Sequence, residues 1–313
     1  MTQTPAKSVI IRIGSRGSPL ALVQAREVQS RLAAACGLAV ERIEIKTIRT
    51  TGDMIQDRPL TEAGGKGVFT KEIEEALLAG AIDLAVHSSK DLPAALPKGL
   101  VLAAFLPRED ARDAFVSPKA KTLRDLPQGA VVGTASPRRA ALVKRLRPDL
   151  AIVPLRGNVE TRLRKIEAGD ADATVLAVAG LKRLGLLSAA TMIFDIEDFL
   201  PAVAQGAIGI ETRGGDAATG ALVAAIDDPD TATAVTAERA FLAALDGSCR
   251  TPIAAHARVE NGFVRFRGMI VTPDGGQALD VSRDGPRDRA AALGADAGGE
   301  LKRRAGADFF VQA

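Results

Sequence analysis

The sequence has few of the residues that build disulfides and metal sites. Its 313 residues contain two cysteines and two histidines, all widely separated, and neither tryptophan nor tyrosine. Two distant cysteines do not form a disulfide framework. So few cysteine and histidine ligands also argue against a tetrahedral zinc site. We therefore expect no metal.

The signatures of nucleotides, nucleic acids and membranes are missing as well. The chain has no GxxxxGK[ST] loop and no GxGxxG motif after a predicted strand. Its net charge of +3 is small and aromatic residues are scarce, so neither a basic stripe nor stacking platforms for nucleic acid are expected. No apolar run approaches membrane-spanning length, and the first residues lack the core of a signal peptide. We predict a cytoplasmic protein without a nucleic-acid or membrane partner.

Two stretches of the chain share one local design. A short apolar run leads into Ser-Pro at 18–19 and again at 136–137, where serine suits the helix N-cap and proline the first helical position. A helix, an Ala-Gly stop, an aspartate and a strand follow one another at 78–86 and again at 167–175. This repetition predicts two similar βαβ lobes with a cleft between them.

The last part of the chain has a different pattern. Three runs at 256–259, 263–270 and 279–282 are separated by Asn-Gly and Asp-Gly-Gly turns and followed by a helical stretch, which predicts a small α+β domain with a three-stranded antiparallel sheet. A strand at 208–211 is expected to return to the first lobe. The predicted fold is therefore α/β, with domain 1 at 1–106 and 207–226, domain 2 at 107–206 and domain 3 at 227–313.

Arginines concentrate at predicted strand-to-helix turns and helix starts, where the helix dipole disfavours a cation. The placement makes sense if an anion binds between each arginine and the bare helix N–H groups. The planar guanidinium binds carboxylates through two parallel hydrogen bonds, whereas arginines on outer helix faces would only aid solubility. The arginines in question are Arg16, Arg138, Arg139, Arg156, Arg162 and Arg183.

Two further stretches carry candidate functional residues. Lys90 and Asp91 follow a predicted strand, at the edge where open α/β sheets place ligands, although a surface ion pair is the commoner fate of adjacent charges. The polar stretch 51–67 has three glycines near its end and carries Lys66, which predicts a long loop. A mobile lid and a solvated surface loop both fit that pattern.

Cys249 is predicted to lie on a tight loop between Gly247, which ends a helical pattern, and Pro252. The neighbouring Arg250 would favour the nucleophilic thiolate. Taken alone, Cys249 fits a small, half-buried structural residue as well. A cysteine hydrolase that pairs Cys249 with His256 is a further alternative, but it leaves the arginines unused.

Short motifs occur in order along nearly the whole chain. They are Arg16-Gly17-Ser18-Pro19, Gly64-Gly65-Lys66-Gly67, His87-Ser88-Ser89-Lys90-Asp91, Arg108-Glu109-Asp110-Ala111-Arg112-Asp113, Gly133-Thr134-Ala135-Ser136-Pro137-Arg138-Arg139, Leu155-Arg156-Gly157-Asn158, Ala179-Gly180-Leu181-Lys182-Arg183, Gln205-Gly206-Ala207 and Gly247-Ser248-Cys249. Together they resemble the porphobilinogen deaminase, or hydroxymethylbilane synthase, family. The chain departs from the familiar pattern at Pro137, Glu160 and Ala204, where the family has leucine in place of Pro137 and glycine in place of Ala204.

The resemblance implies a fold, a cofactor and a reaction. The first two domains would be like a periplasmic-type binding protein, and a dipyrromethane cofactor would be joined through a thioether to Cys249. The enzyme would be a monomeric transferase that condenses four porphobilinogens head to tail, with loss of ammonia, into hydroxymethylbilane for heme and other tetrapyrroles. A non-catalytic, two-lobed module that binds anions is the alternative.

The resemblance also assigns roles to residues. Asp91 would be the catalytic carboxylate, which holds the pyrrole N–H groups and stabilises the cation left when ammonia departs. Lys66 would belong to the lid and Gln205 to the crossover between lobes. The residues expected to bind the carboxylates of cofactor and substrate are Arg16, Ser18, Lys66, Ser88, Lys90, Thr134, Ser136, Arg138, Arg139, Arg156, Arg162, Arg183 and Gln205.

Overall fold

The computed structural model describes residues 11–54, 67–247, 251–306 and 309–310. The chain divides into two compact units. The first unit contains the chain up to residue 92 together with 96–107 and 208–228, and the second contains 93–95, 108–207 and 229 onward. The second unit thus holds the predicted domains 2 and 3 together, and the predicted boundaries within it stay predictions.

The helices and strands alternate along most of the chain. The strands are β1 (Ile11–Ser15), β2 (Ile43–Thr47), β3 (Leu84–Ser88), β4 (Leu100–Phe105), β5 (Asp113–Val116), β6 (Val131–Gly133), β7 (Ala151–Val153), β8 (Ala173–Ala177), β9 (Met192–Ile193), β10 (Ile208–Arg213), β11 (Ile253–Glu260), β12 (Phe263–Val271) and β13 (Ala278–Pro286). The helices are α1 (Pro19–Cys36), α2 (Thr51–Met54), α3 (Lys71–Leu78), α4 (Pro137–Leu146), α5 (Val159–Glu167), α6 (Val178–Arg183), α7 (Ala217–Ala224), α8 (Pro229–Ala244) and α9 (Ala290–Ala305).

Two five-stranded sheets share one topology, as the internal repeat predicts. The first sheet has the order β2-β1-β3-β10-β4 and the second the order β7-β6-β8-β5-β9. In each, the second strand of this order pairs in parallel with two neighbours, and the fourth strand runs antiparallel to both of its neighbours. The predicted return of 208–211 is confirmed, because β10 lies between β3 and β4 in the first sheet.

The predicted three-stranded domain is confirmed in the second unit. Strands β11, β12 and β13 form an antiparallel meander against which α8 and α9 pack. One apolar cluster runs from Phe115 and Phe199 near the second sheet to Met269 and Val271 of the meander. The two sheets of this unit therefore share a hydrophobic core, whose burial stabilises both.

Local signals explain where the site-bearing helices begin. Ser18 caps α1 by accepting a hydrogen bond from the Ala21 N–H at 3.4 Å, and Pro19 takes the first helical position. Ser136 caps α4 in the same way by accepting from the Arg139 N–H. The repeated Ser-Pro pair therefore starts a helix in each unit, as the sequence predicts.

Two expectations need correction. Residues Thr51–Met54 are the short helix α2 and not part of an irregular loop. Arg183 is the last residue of α6 and not near a helix start, a place where the helix dipole favours a cation. None of the described helices is long and apolar enough to cross a membrane.

Candidate active site

Parallel strands bring four of the predicted site residues of the first unit together. Because β1 and β3 are parallel neighbours, the segments that follow their carboxyl ends lie side by side. Arg16 and Ser18 come after β1, while Ser88 ends β3 and Asp91 ends the 3₁₀ turn behind it. These four side chains line one cavity of about 60 Å³. The expected placement of Asp91 at a strand end is confirmed.

Arg16 is the best-anchored cation of this cavity. Its Nε donates to both carboxylate oxygens of Asp53, at 3.1 and 3.2 Å, and its Nη2 donates to Asp53 Oδ1 as well. The guanidinium carbon lies 4.2 Å from the centroid of the Phe69 ring, a cation–π arrangement. Arg16 Nη1 is 4.0 Å from Asp91 Oδ2. These contacts hold the guanidinium of Arg16 beside Asp91, the catalytic candidate.

The Asp53 carboxylate shows what kind of group Arg16 binds. Burial alone would raise the pKa of Asp53, but the hydrogen bonds and charge of Arg16, with help from Thr50, hold that pKa below its usual value. The Asp53 side chain is only 27% exposed, so this ion pair is partly shielded from water. Arg16 is therefore arranged to bind a carboxylate through two hydrogen bonds.

The remaining predicted residues of the first unit support this cavity or lie outside the described residues. Ser88 Oγ forms a hydrogen bond with the side-chain amide of Gln24, whose Nε2 lies 2.9 Å away. Lys90 belongs to the 3₁₀ turn that carries Asp91. Lys66 is outside the described residues, and so is Cys249, which belongs to the predicted domain 3.

A second group of predicted residues gathers around Asp113, which begins β5. Arg138 Nη2 donates to Asp113 Oδ2 at 2.7 Å, and Arg139 Nε and Nη2 donate to Oδ1 at 3.0 and 2.7 Å. Gln205 Nε2 adds a hydrogen bond to Oδ1 at 3.1 Å and another to the Ala111 carbonyl at 2.7 Å. Two arginines thus share one buried carboxylate.

The charges in this group do not cancel. Asp113 is 0% exposed and Arg138 and Arg139 are 4% and 5% exposed, so two cations and one anion lie away from water. Burial lowers the pKa of Arg138. The charge of Asp113 raises this pKa, and the charge of Arg139 lowers it again. The Nε of Arg138 is buried without a hydrogen-bond partner. An additional anion beside these arginines would compensate the excess positive charge.

The other predicted residues of the second unit lie at nearby turns. Thr134 Oγ1 accepts a hydrogen bond from the Ser136 N–H at 3.1 Å, which fixes the turn before α4. Arg162 Nε donates to the Gly157 carbonyl at 2.9 Å, in the turn that also contains Arg156. Arg183 Nη2 donates to the carbonyl of Gly206, next to Gln205 in the sequence, at 3.0 Å.

Sequence reasoning missed Asp53, Phe69 and Asp113 as partners of the arginines. Asp113 lies in a motif that we used for the family resemblance, yet it received no role. A lone aspartate at the start of an otherwise apolar strand is the signal that predicts a buried ion pair. The described residues contain no cluster of histidine, cysteine, aspartate and glutamate suited to a metal, and the expectation of none stays a prediction.

Two sheets with matching strand orders, and arginines that are bound to aspartates, define an α/β protein whose arginines suit anionic ligands. Two family models match the chain: "porphobilinogen deaminase, dipyromethane cofactor binding domain" over residues 11–221, and "porphobilinogen deaminase, C-terminal domain" over 232–303. The porphobilinogen deaminase of Nitrobacter hamburgensis is 61% identical over 311 residues, which are 99% of this chain and 98% of that protein. That of Paracoccus denitrificans is 56% identical over 310 residues, 99% of each chain.

The chain therefore belongs to the porphobilinogen deaminase family, and the resemblance is confirmed. Membership of this family confirms the predicted transferase class and the predicted dipyrromethane cofactor. Among solved structures, a periplasmic substrate-binding protein of an ABC transporter from Coxiella burnetii is 19% identical, with a TM-score of 0.45. The match covers 70% of this chain and 93% of the Coxiella chain.

Proposed function

We propose that the chain is a hydroxymethylbilane synthase that joins four porphobilinogens head to tail, with loss of ammonia, on a dipyrromethane primer. The observation that carries the proposal is the pairing of Arg16 with Asp91 across 4.0 Å in one cavity, in a chain of this family. One group can bind a substrate carboxylate while the other faces positive charge. That combination suits a substrate with acidic side chains and a cationic aminomethyl group.

The residues present fit a dipyrromethane with its acetate and propionate groups. The unpartnered Nε of Arg138 and the excess positive charge around Asp113 are suited to carboxylates. When bound, the dipyrromethane supplies the pyrrole carbon to which the first new ring is joined. We propose that it is attached through a thioether to Cys249, the predicted residue on the loop before β11.

We assign the following work to the chain's own groups. Asp91 accepts hydrogen bonds from pyrrole N–H groups and stabilises the positive charge that develops on the substrate as ammonia leaves. Arg16, whose Nε and Nη2 are bound by Asp53, holds a substrate carboxylate through Nη1 and so fixes the aminomethyl carbon near Asp91. Lys90 and Ser88, on the same corner, add a cation and a hydroxyl for a second carboxylate. Ser18 presents its hydroxyl at the helix start.

A growing product explains why the chain has more anion-binding groups than one substrate needs. Each added ring brings two further carboxylates, and each must be neutralised or hydrated. We assign the later carboxylates to the remaining predicted residues: Lys66, Thr134, Ser136, Arg138, Arg139, Arg156, Arg162, Arg183 and Gln205. We further propose that the protein works as a cytoplasmic monomer without a nucleic-acid or membrane partner.

The first test is the intact mass of the purified protein under denaturing conditions, compared with that of Cys249→Ser. We expect wild type to exceed its sequence mass by two pyrrole units and the variant to lack this excess. Cys36→Ser is the matched control, because it removes the other cysteine and should keep the excess. An excess that survives in Cys249→Ser would refute the proposed attachment site.

Asp91→Asn tests the catalytic assignment. It preserves the size of the side chain but removes its charge, so turnover of porphobilinogen should fall by about 10²- to 10³-fold, the usual cost of losing one preorganised stabilising group. The thermal midpoint should stay close to that of wild type because Asp91 is partly exposed. If wild type releases no ammonia from porphobilinogen, the non-catalytic binding module would be the better description.

A further inference from the structure

Three ionisable side chains lie buried directly behind the cavity of the first unit. His87 on β3 and Glu211 on the antiparallel neighbour β10 form a hydrogen bond of 3.0 Å between Nε2 and Oε2. Their side chains are 4% and 0% exposed. Glu74 on α3 is 6% exposed and interacts electrostatically with both. The assignments made above give none of the three a role.

The hydrogen bonds of this cluster are incomplete. Glu74 Oε1 and Glu211 Oε1 are both buried without a partner. The charges that act on Glu74 come from Glu211 on β10, His87 on β3 and Glu75 on its own helix. Burial is the largest influence on the pKa of Glu74 and raises it. The charges of Glu211 and Glu75 raise this pKa further, whereas His87 and the Thr70 hydroxyl lower it.

Charge counting limits the states that this cluster can adopt. With both carboxylates ionised, the cluster carries one net negative charge if His87 is protonated and two if it is neutral. Either state places uncompensated charge in a buried region, which is costly. One proton on Glu74 removes one negative charge from either state. Two like charges that share a buried site commonly resolve in this way.

The cluster is connected to the cavity by its member His87 and by Thr70, which is hydrogen-bonded to Glu74. His87 and Thr70 both line the cavity that contains Arg16, and His87 directly precedes Ser88. We propose that the buried Glu74 carboxyl, beside the His87–Glu211 hydrogen bond, holds a proton that keeps a negative charge away from the rear wall of this cavity, so that a carboxylate can bind at Arg16. The proposal rests on the proposed function, which supplies the carboxylate substrate. Loss of the proton places a negative charge behind the wall, which repels that substrate.

The proton itself is tested by unfolding, without reference to turnover. A carboxyl whose pKa is higher in the folded than in the unfolded chain stabilises the fold below the unfolded value of about 4.5 and loses this contribution as pH rises to the folded value. Wild type should therefore lose stability across this window, with the unfolding constant rising by up to about tenfold per pH unit. Glu74→Gln cannot ionise and should lose less.

The matched control is Glu75→Gln, one residue further along α3, where the side chain is 62% exposed. Because the charge of Glu75 is the smallest influence on the pKa of Glu74, this variant should follow wild type closely, with at most a slight shift of the loss to lower pH. Should Glu74→Gln fail to fold, Glu211→Gln removes the neighbouring like charge and should shift the same loss of stability to lower pH. Identical pH dependence in wild type, Glu74→Gln and Glu211→Gln would overturn the proton on Glu74.

The consequence for binding is read from the pH dependence of KM. As the cluster loses its proton, KM for porphobilinogen should rise by roughly three- to tenfold in wild type through charge repulsion, while kcat changes less. Glu74→Gln should keep a low KM over the same range, and Glu75→Gln should show nearly the same rise as wild type. A parallel rise of KM in Glu74→Gln would overturn the link to the cavity. Absence of any turnover in wild type would instead refute the proposed function and leave the unfolding test intact.

Discussion

Asp113→Asn should be strongly destabilising, because Asp113 is the shared partner of two buried arginines. The substitution keeps the shape of the side chain and removes its charge. Arg138 and Arg139, both about 5% exposed, would then lie next to each other with no charge from residue 113 to compensate them. The effect should greatly exceed that of losing an ordinary hydrogen bond, which is about 1 kcal/mol.

The magnitude follows from the burial of the three groups. Removing one partner of a buried ion pair costs about 3–5 kcal/mol, because the remaining charge stays desolvated. In a folding unit of this size, 1 kcal/mol shifts the melting temperature by about 2–4 °C, so the midpoint should fall by about 10 °C. A dicarboxylate such as succinate should raise the midpoint of the variant more than that of wild type, since it can replace the lost charge.

Differential scanning calorimetry with and without succinate measures both effects. Asp230→Asn is the matched control: it also removes an arginine-bound aspartate, but the Asp230 side chain is 64% exposed and its partner Arg287 is 44% exposed. That variant should melt close to wild type. The reasoning fails if Asp113→Asn melts within two degrees of wild type, about the shift expected for losing less than 1 kcal/mol.

Two further predictions concern the second unit. Ala204 has φ +59°, a left-handed conformation that costs a non-glycine residue about 1 kcal/mol or more. Ala204→Gly should therefore raise the free energy of unfolding by roughly 0.5 kcal/mol, once the larger entropy that glycine loses on folding is subtracted. A lower midpoint of chemical denaturation in the variant would contradict this. Burial lowers the pKa of His256, so its contribution to stability is complete above its ordinary value of 6.5 and is lost as pH falls below it. His256→Gln should therefore flatten the dependence of the melting temperature on pH between 5 and 7, and an unchanged slope would contradict the assignment.

The features that the sequence predicts well are those written in neighbouring residues. Ser18 with Pro19, and Ser136 with Pro137, start helices through contacts within four positions, so their motifs are sufficient. The Asn-Gly turn likewise predicts the hairpin between β11 and β12. Asp91 was found for a related reason, because the end of a strand can be located from its apolar run.

The features that the sequence does not reveal depend on residues far apart in the chain. His87 and Glu211 are 124 positions apart, and Glu238 receives two hydrogen bonds from Arg108, which is 130 positions away. Glu238 also accepts the backbone N–H groups of Ala204 and Ala257 and is fully buried. Nothing beside these glutamates in the sequence distinguishes them from solvent-exposed ones, since only the tertiary fold decides which carboxylates become buried.

The position of β10 has a consequence for biosynthesis on the ribosome. This strand lies inside the first sheet, between β3 and β4, yet it is encoded after every strand of the second sheet. The last strand of the second sheet ends at Ile193, so all five of its strands leave the exit tunnel before residues 208–213 do. The amino-terminal sheet must therefore be completed later than the one that follows it, a reversal of the usual order in which domains fold during synthesis. Until then β3 and β4 lack their shared neighbour, and this exposed pair of edges is where a nascent chain would most need a chaperone.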